Sequence, residues 1–154
     1  MLNAQKVDLN LLQGRWYIIH SDFPMWTKGN KIKPTFNYKI IERKGDTVLL
    51  DEVKYFKNGK EKTITGYDLI ESHDNRSFTW RGKGLLSITK SKWRIIFFSD
   101  DKRWAIIHFQ KTLFTPEGYD VISRNKAIDY NLSLDIKAIL SGLNISELKL
   151  IPQL

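Results

Sequence analysis

From residue 15 onward, apolar and polar residues alternate in short runs, each stopped by a turn, and this period of two predicts strands rather than helices. Eight runs are expected, at 15–20, 35–42, 47–56, 61–71, 77–81, 92–99, 103–109 and 118–124. Asn58-Gly59 is a hairpin signal, because both residues tolerate the positive φ of a type I′ turn. Lys44-Gly45-Asp46, residues 73–76, Asp100-Asp101-Lys102 and Thr115-Pro116-Glu117 supply other turns, and 82–91 is expected as a loop. One stretch changes period. After Asp129, apolar residues fall at Leu132, Ile136, Ile139, Leu140 and Leu143, the stripe of an amphipathic helix over about 130–141. Asp129 is the expected N-cap and Gly142 the expected left-handed residue beyond the end. A short helical turn capped by Asp8 precedes the first strand, and a final short strand is expected at about 147–151.

The strands differ in how their faces divide. Those at 35–71 carry polar residues on one side. Those at 15–20, 92–99, 103–109 and 118–124 are apolar on both, so the helix is expected to cover Ile19, Ile96, Phe98, Ile107, Phe109 and Ile122 from outside. The pattern predicts an all-β fold: an eight-stranded antiparallel up-and-down barrel with a C-terminal helix packed on its outside. One domain is expected over 1–154, with the barrel at about 15–124.

Closure brings the chain ends of the barrel together. Trp16 on the first strand can lie beneath Arg124 at the end of the last, with Gly14 allowing close approach. If Trp16 points inward, alternation places Ile18 and His20 inside as well. The same rule places Trp93, Ile95 and Phe97, then Trp104, Ile106 and His108, then Tyr119 and Val121 inside. Phe36, Tyr38 and Trp80 join them, although the register of 35–81 is open. This set describes an apolar cavity with a few polar groups, suited to a small molecule.

Composition narrows the chemistry. Of 154 residues, 42% are hydrophobic and 12% aromatic, enough for one core, and the five Trp fall mostly on strands. The absence of cysteine excludes disulfides, thiolate metal sites and cysteine nucleophiles. A net charge of +8 reads first as a solvated basic surface, with peripheral attraction to anionic headgroups or ligands as the sharper alternative; the basic residues form no stripe with interleaved aromatics, so nucleic acid is not expected. No apolar run approaches the ~18 residues of a membrane-crossing helix. Residues 1–8 lack the apolar core of a signal peptide, which leaves the compartment open. His20 and His108 have no matched acidic partner or third ligand, so no metal or other cofactor is expected. Asp51, Glu52, Asp68 and Glu71 give no convergent pair by alternation, Ser123 has no predictable base, and no phosphate loop occurs. Catalysis is therefore not expected.

Three stretches carry a family likeness: 7–18 with Gly14-Arg15-Trp16; 104–107 with 118–125 ending in Ser123-Arg124-Asn125; and the helix with its tail, 146–153. Together they resemble the lipocalins, closest to the bacterial outer-membrane-type proteins and their plant and apolipoprotein D-like relatives. The turn Ser99-Asp100-Asp101 departs from the family's second motif, which leaves its usual receptor surface in doubt. The resemblance implies a structural role for Gly14, Trp16 and Arg124 at the closed end, and favours the cell envelope over the cytoplasm. It implies binding, transport or storage of a small hydrophobic ligand, with a fatty acid or lysophospholipid favoured by the basic surface. The chain is expected to be a monomer, with a weak dimer as the alternative. The competing expectation is a non-catalytic interaction module with a filled barrel, meeting a membrane or protein partner through loops or basic surface. Cavity volume separates the two.

Overall fold

The computed structural model describes residues 5–84, 90–113 and 115–154. Eight antiparallel strands form the wall: β1 (Gly14–Ser21), β2 (Ile32–Arg43), β3 (Asp46–Lys57), β4 (Lys60–Ile70), β5 (Ser77–Gly82), β6 (Lys90–Phe98), β7 (Trp104–Phe109) and β8 (Gly118–Ser123). Each pairs with the next, and β1 pairs with both β8 and β2, so the sheet closes. A one-turn helix, α1 (Pro24–Thr27), lies between β1 and β2; α2 (Tyr130–Gly142) and β9 (Lys149–Leu150) follow the barrel. Of the expected loop at 82–91, Gly82 ends β5 and Lys90 and Ser91 open β6, while 85–89 lies outside the described residues.

Asn58 and Gly59 both take positive φ, as do Lys44 and Gly45, which makes the β3–β4 and β2–β3 connections tight hairpins. The β4–β5 and β6–β7 turns share one chemistry. Ser72 Oγ donates to Asp74 Oδ1 and accepts from the Ser77 amide; Ser99 Oγ does the same with Asp101 and the Trp104 amide.

One end of the barrel is shut. The expected turn before β1 is a 3₁₀ helix at Leu9–Leu12, with the Asp8 carboxylate accepting from the Asn10 amide at 2.9 Å. Trp16 is fully buried and donates its indole N–H to Leu12 O at 2.9 Å. The Arg124 guanidinium lies 3.7 Å from the Trp16 ring centroid. Its Nη1 donates to Arg15 O at 2.9 Å, and its Nη2 to Leu11 O and Gln13 O at 2.7 Å each. Gly14 has φ +95°, and a Cβ there would stand 3.2 Å from Arg124 Nη1, so both conformation and space favour glycine.

The helix covers the wall as its stripe predicts. Ile136 and Leu140 are buried against Ile19, Trp104, Ile106 and Val121. Asp129 caps it, accepting from the Leu132 amide at 2.8 Å. Its end differs from expectation: Gly142 stays helical, and Asn144 takes the left-handed conformation at φ +57°. Asn is one of the few residues that tolerates it.

The barrel has a seam. The first half of β1 pairs with β2, but at His20 and Ser21 its partner is β9, so β1 and β2 part toward the open end. Gln153 bridges the gap. Its buried Nε2 donates to Ile18 O at 2.8 Å and to Pro34 O at 2.9 Å.

Candidate functional site

The interior divides in two. Toward the closed end Trp16, Leu12, Leu49, Phe78, Phe98 and Ile122 pack it solid. Toward the other end lies a cavity of about 800 Å³, within the roughly 300–1,000 Å³ of ligand pockets. Strand residues Phe36, Tyr38, Val53, Ile64, Trp80, Trp93 and Phe109 form its wall, with Phe23 and Trp26 leaning in from α1 and its approach. Exposed Pro24, Lys28, Lys90, Leu113, Thr115 and Pro116 mark where it reaches the surface. Trp80 fits because position 66 is glycine: a Cβ there would stand 2.4 Å from the indole.

The aromatics form a connected array. Trp93 stacks on Phe78 at 4.3 Å and on Tyr38 at 5.9 Å, and Tyr38 stacks on Phe36 at 5.9 Å. Phe109 meets Phe36, Trp93 and Phe23.

Acids stand among them. Asp51 and Asp120 line the cavity and are 4% and 1% exposed, and Asp68 is fully buried beside Asp51. Asp68 Oδ1 accepts the Trp93 indole N–H at 2.9 Å. Asp51 and Asp68 act on each other's ionisation, and two neighbouring buried carboxyls are favoured with a proton kept on one of them. No described group donates to Asp51 Oδ1 or Asp68 Oδ2. Ser21 and Trp26 stand beside the Asp120 carboxyl and act to lower its pKa, yet its Oδ1 has no partner. Burial pushes Asp68 and Asp120 each up to about 7. Asp51 is held well above the ordinary carboxylate range by burial and then by Asp68. The Tyr38 hydroxyl is raised by burial and by all three acids.

Several sequence-predicted positions lie elsewhere. Ile18, Phe36, Tyr38, Trp80, Trp93 and Ile95 belong to the interior as expected, with Ile18 and Ile95 in its packed part. Phe97, Trp104, Ile106, Tyr119 and Val121 instead face α2 on the outside, whereas Phe98, Ile107, Phe109 and Ile122, expected outside, point in. Two causes act. A register shift between Ile95 and Phe97 reverses the phase of β6. On β7 and β8 both faces are buried, so alternation does not distinguish inside from outside. His20 is also turned out, by a register shift between Ile18 and His20, and pairs opposite Val121. Burial lowers its pKa, with Glu147 raising and Lys137 lowering it from the helix side. His108 follows Trp104 and Ile106 on the outer face, against Tyr119 and Glu117. Neither histidine reaches the cavity, and no cluster of metal-binding side chains occurs among the described residues.

The convergent acid pair that alternation had excluded is present. Asp51 shares a face with Leu49 and Val53, and Asp68 with Ile64 and Ile70, so their inward direction was readable from their apolar neighbours. Asp120 was not, because it sits between two apolar residues that read as the inner face.

No family model matches the chain, and no curated protein matches it. Solved structures do. Insecticyanin from the tobacco hornworm Manduca sexta aligns with TM-score 0.72 at 15% identity, over 91% of this chain and 75% of that one. Apocrustacyanin C2 aligns with TM-score 0.69 at 11% identity, over 95% and 79%. The siderocalin Ex-FABP, which functions through dual ligand specificities, aligns with TM-score 0.67 at 12% identity, over 92% and 94%. The fold is the lipocalin barrel.

Proposed function

We propose that this protein binds a small, mostly apolar molecule inside the barrel and serves to carry or store it. The observation that carries this reading is the 800 Å³ cavity with its aromatic wall and solvent-reaching mouth. The likeness of 7–18, 104–107, 118–125 and 146–153 to bacterial outer-membrane-type lipocalins supports the same role, as does the ligand-binding function of Ex-FABP. Burying about 300 Å² of apolar ligand surface at about 25 cal/mol per Å² gives about 7–8 kcal/mol, a micromolar scale. A fatty acid or lysophospholipid would place its headgroup at Lys28 and Lys90 and its tail inward. The filled-barrel interaction module requires a solid interior, and the cavity counts against it.

The test is calorimetric titration with decanol and decanoic acid. One-to-one binding is expected, lost in a Val53→Phe/Ile64→Phe variant whose circular dichroism is unchanged. No binding of either probe by the wild type overturns the reading.

A second reading, acid–base chemistry on the bound molecule, is favoured by the Asp51–Asp68 pair. Under it, ligands recovered after incubation are altered; under binding alone they are unchanged in mass and structure.

A further inference from the structure

Among the described residues, no cation stands within ion-pair distance of the acids beneath the cavity. Among the described residues the one ion pair within 4.0 Å is His108 with Glu117, on the outer face. Asp51, Asp68 and Asp120 come from three different strands, β3, β4 and β8, and the charge of each acts to raise the Tyr38 hydroxyl. Lys28 and Lys90, the basic residues lining the cavity, are exposed at its mouth. A carboxyl buried in apolar surroundings is unfavourable in its charged form, and three together more so. Packing alone does not call for them: apolar residues of similar size would fill the same space. They leave acceptor oxygens free at the inner end of an aromatic-walled cavity, the environment that favours a bound cation.

We propose that the cavity selects apolar molecules bearing a protonated amine, with the ammonium held against one of its two buried lining acids, Asp51 or Asp120, and the apolar body against the aromatic wall of Tyr38, Trp93, Phe36 and Phe109. This rests on the proposed role of the cavity and specifies its ligand class. The ammonium donates to Asp51 Oδ1 or to Asp120 Oδ1, buried acceptors that no described group serves. A neutral alcohol supplies one donor and no charge. A carboxylate directed inward meets like charge.

Binding of the cation draws the acids into their ionised form and releases protons. Around Asp120 stand Ser21 and Asp22 of β1 and its end, Trp26 of α1 and Tyr38 of β2; around Asp51 stand Tyr38, Glu52 and Asp68. An alkylamine stays protonated well beyond pH 8, as lysine does, so pH dependence between 5.5 and 8 reports the acids. Amine affinity therefore rises as pH rises through about 7.

The experiment is calorimetric titration of the full chain with decylamine, decanol and decanoic acid at pH 8 and pH 5.5. Decylamine is expected to bind at least about tenfold tighter than decanol at pH 8, a difference of about 1.4 kcal/mol, and to lose most of that margin at pH 5.5. Asp120→Asn or Asp51→Asn, near-isosteric changes whose folding is verified by unchanged circular dichroism, is expected to remove the margin of decylamine over decanol measured on the same variant. Equal affinity for decylamine and decanol at pH 8 overturns the proposal while leaving the cavity reading intact. So does tighter binding of decanoic acid, or a margin that survives in both variants. Failure of all three probes overturns the cavity reading itself, and the proposal with it.

Discussion

Arg124 joins three backbone carbonyls and one indole with a single guanidinium, so its removal leaves four groups changed at once. Arg124→Ala is expected to lower stability by about 2–4 kcal/mol, combining lost charge-assisted hydrogen bonds with the lost stack. Arg124→Lys recovers less than half of this, because an ammonium cannot serve donors in the geometry of a planar fork. Trp16→Ala is expected to cost about 3–5 kcal/mol as a core aromatic. Urea unfolding of the three variants checks all of these values. This contact was readable in advance, since a Gly-x-Trp on the first strand and an Arg closing the last have one place to meet in a closed sheet. Gly66 was not. Its need appears only when β5 is laid beside β4 and Trp80 is found covering it. Gly66→Ala, whose Cβ would also stand 2.6 Å from the Arg81 carbonyl oxygen, is expected to displace the Trp80 indole, weaken decanol binding at least about tenfold and lower stability by about 1–3 kcal/mol.

At the scale of elements, legibility followed the difference between the two faces of each strand. β2, β3 and β4 carry polar residues outward, so their inner residues could be read once pairing was known. β6, β7 and β8 are buried on both sides, and β1 and β6 each shift register midway. Nothing in an unbroken apolar run records where such a shift falls. The helix, by contrast, was legible because its period and its Asp129 cap agree. The seam between β1 and β2 was not, for it depends on a single side chain far away in sequence. Gln153→Ala leaves the carbonyls of Ile18 and Pro34 without that donor in a buried setting. A loss of about 1–3 kcal/mol is expected in thermal unfolding, accompanied by faster hydrogen exchange along the second half of β1.

For the molecule as a whole, the interior acids set a pH dependence of unusual sign. A carboxyl whose folded pKa lies above its unfolded value holds its proton better when folded, so stability falls as pH rises from about 4 to about 7. Asp68 and Asp120, both at about 7, act in this window. His20, buried with a lowered pKa, acts the other way, losing stability as pH falls below its unfolded value. Comparing variants separates the two. The unfolding free energy of Asp120→Asn relative to wild type is expected to rise by on the order of 2–4 kcal/mol between pH 4 and pH 8, measured by chemical denaturation at each pH. Net charge gives no hint of this, because a basic surface conceals where the acids are. The placement of the aromatics has a further use. Of the five tryptophans, Trp26, Trp80 and Trp93 line the cavity, while Trp16 lies under Arg124 and Trp104 under the helix. The protein therefore carries its own optical reporter, three emitters that sense an occupant and two that provide an internal reference for it.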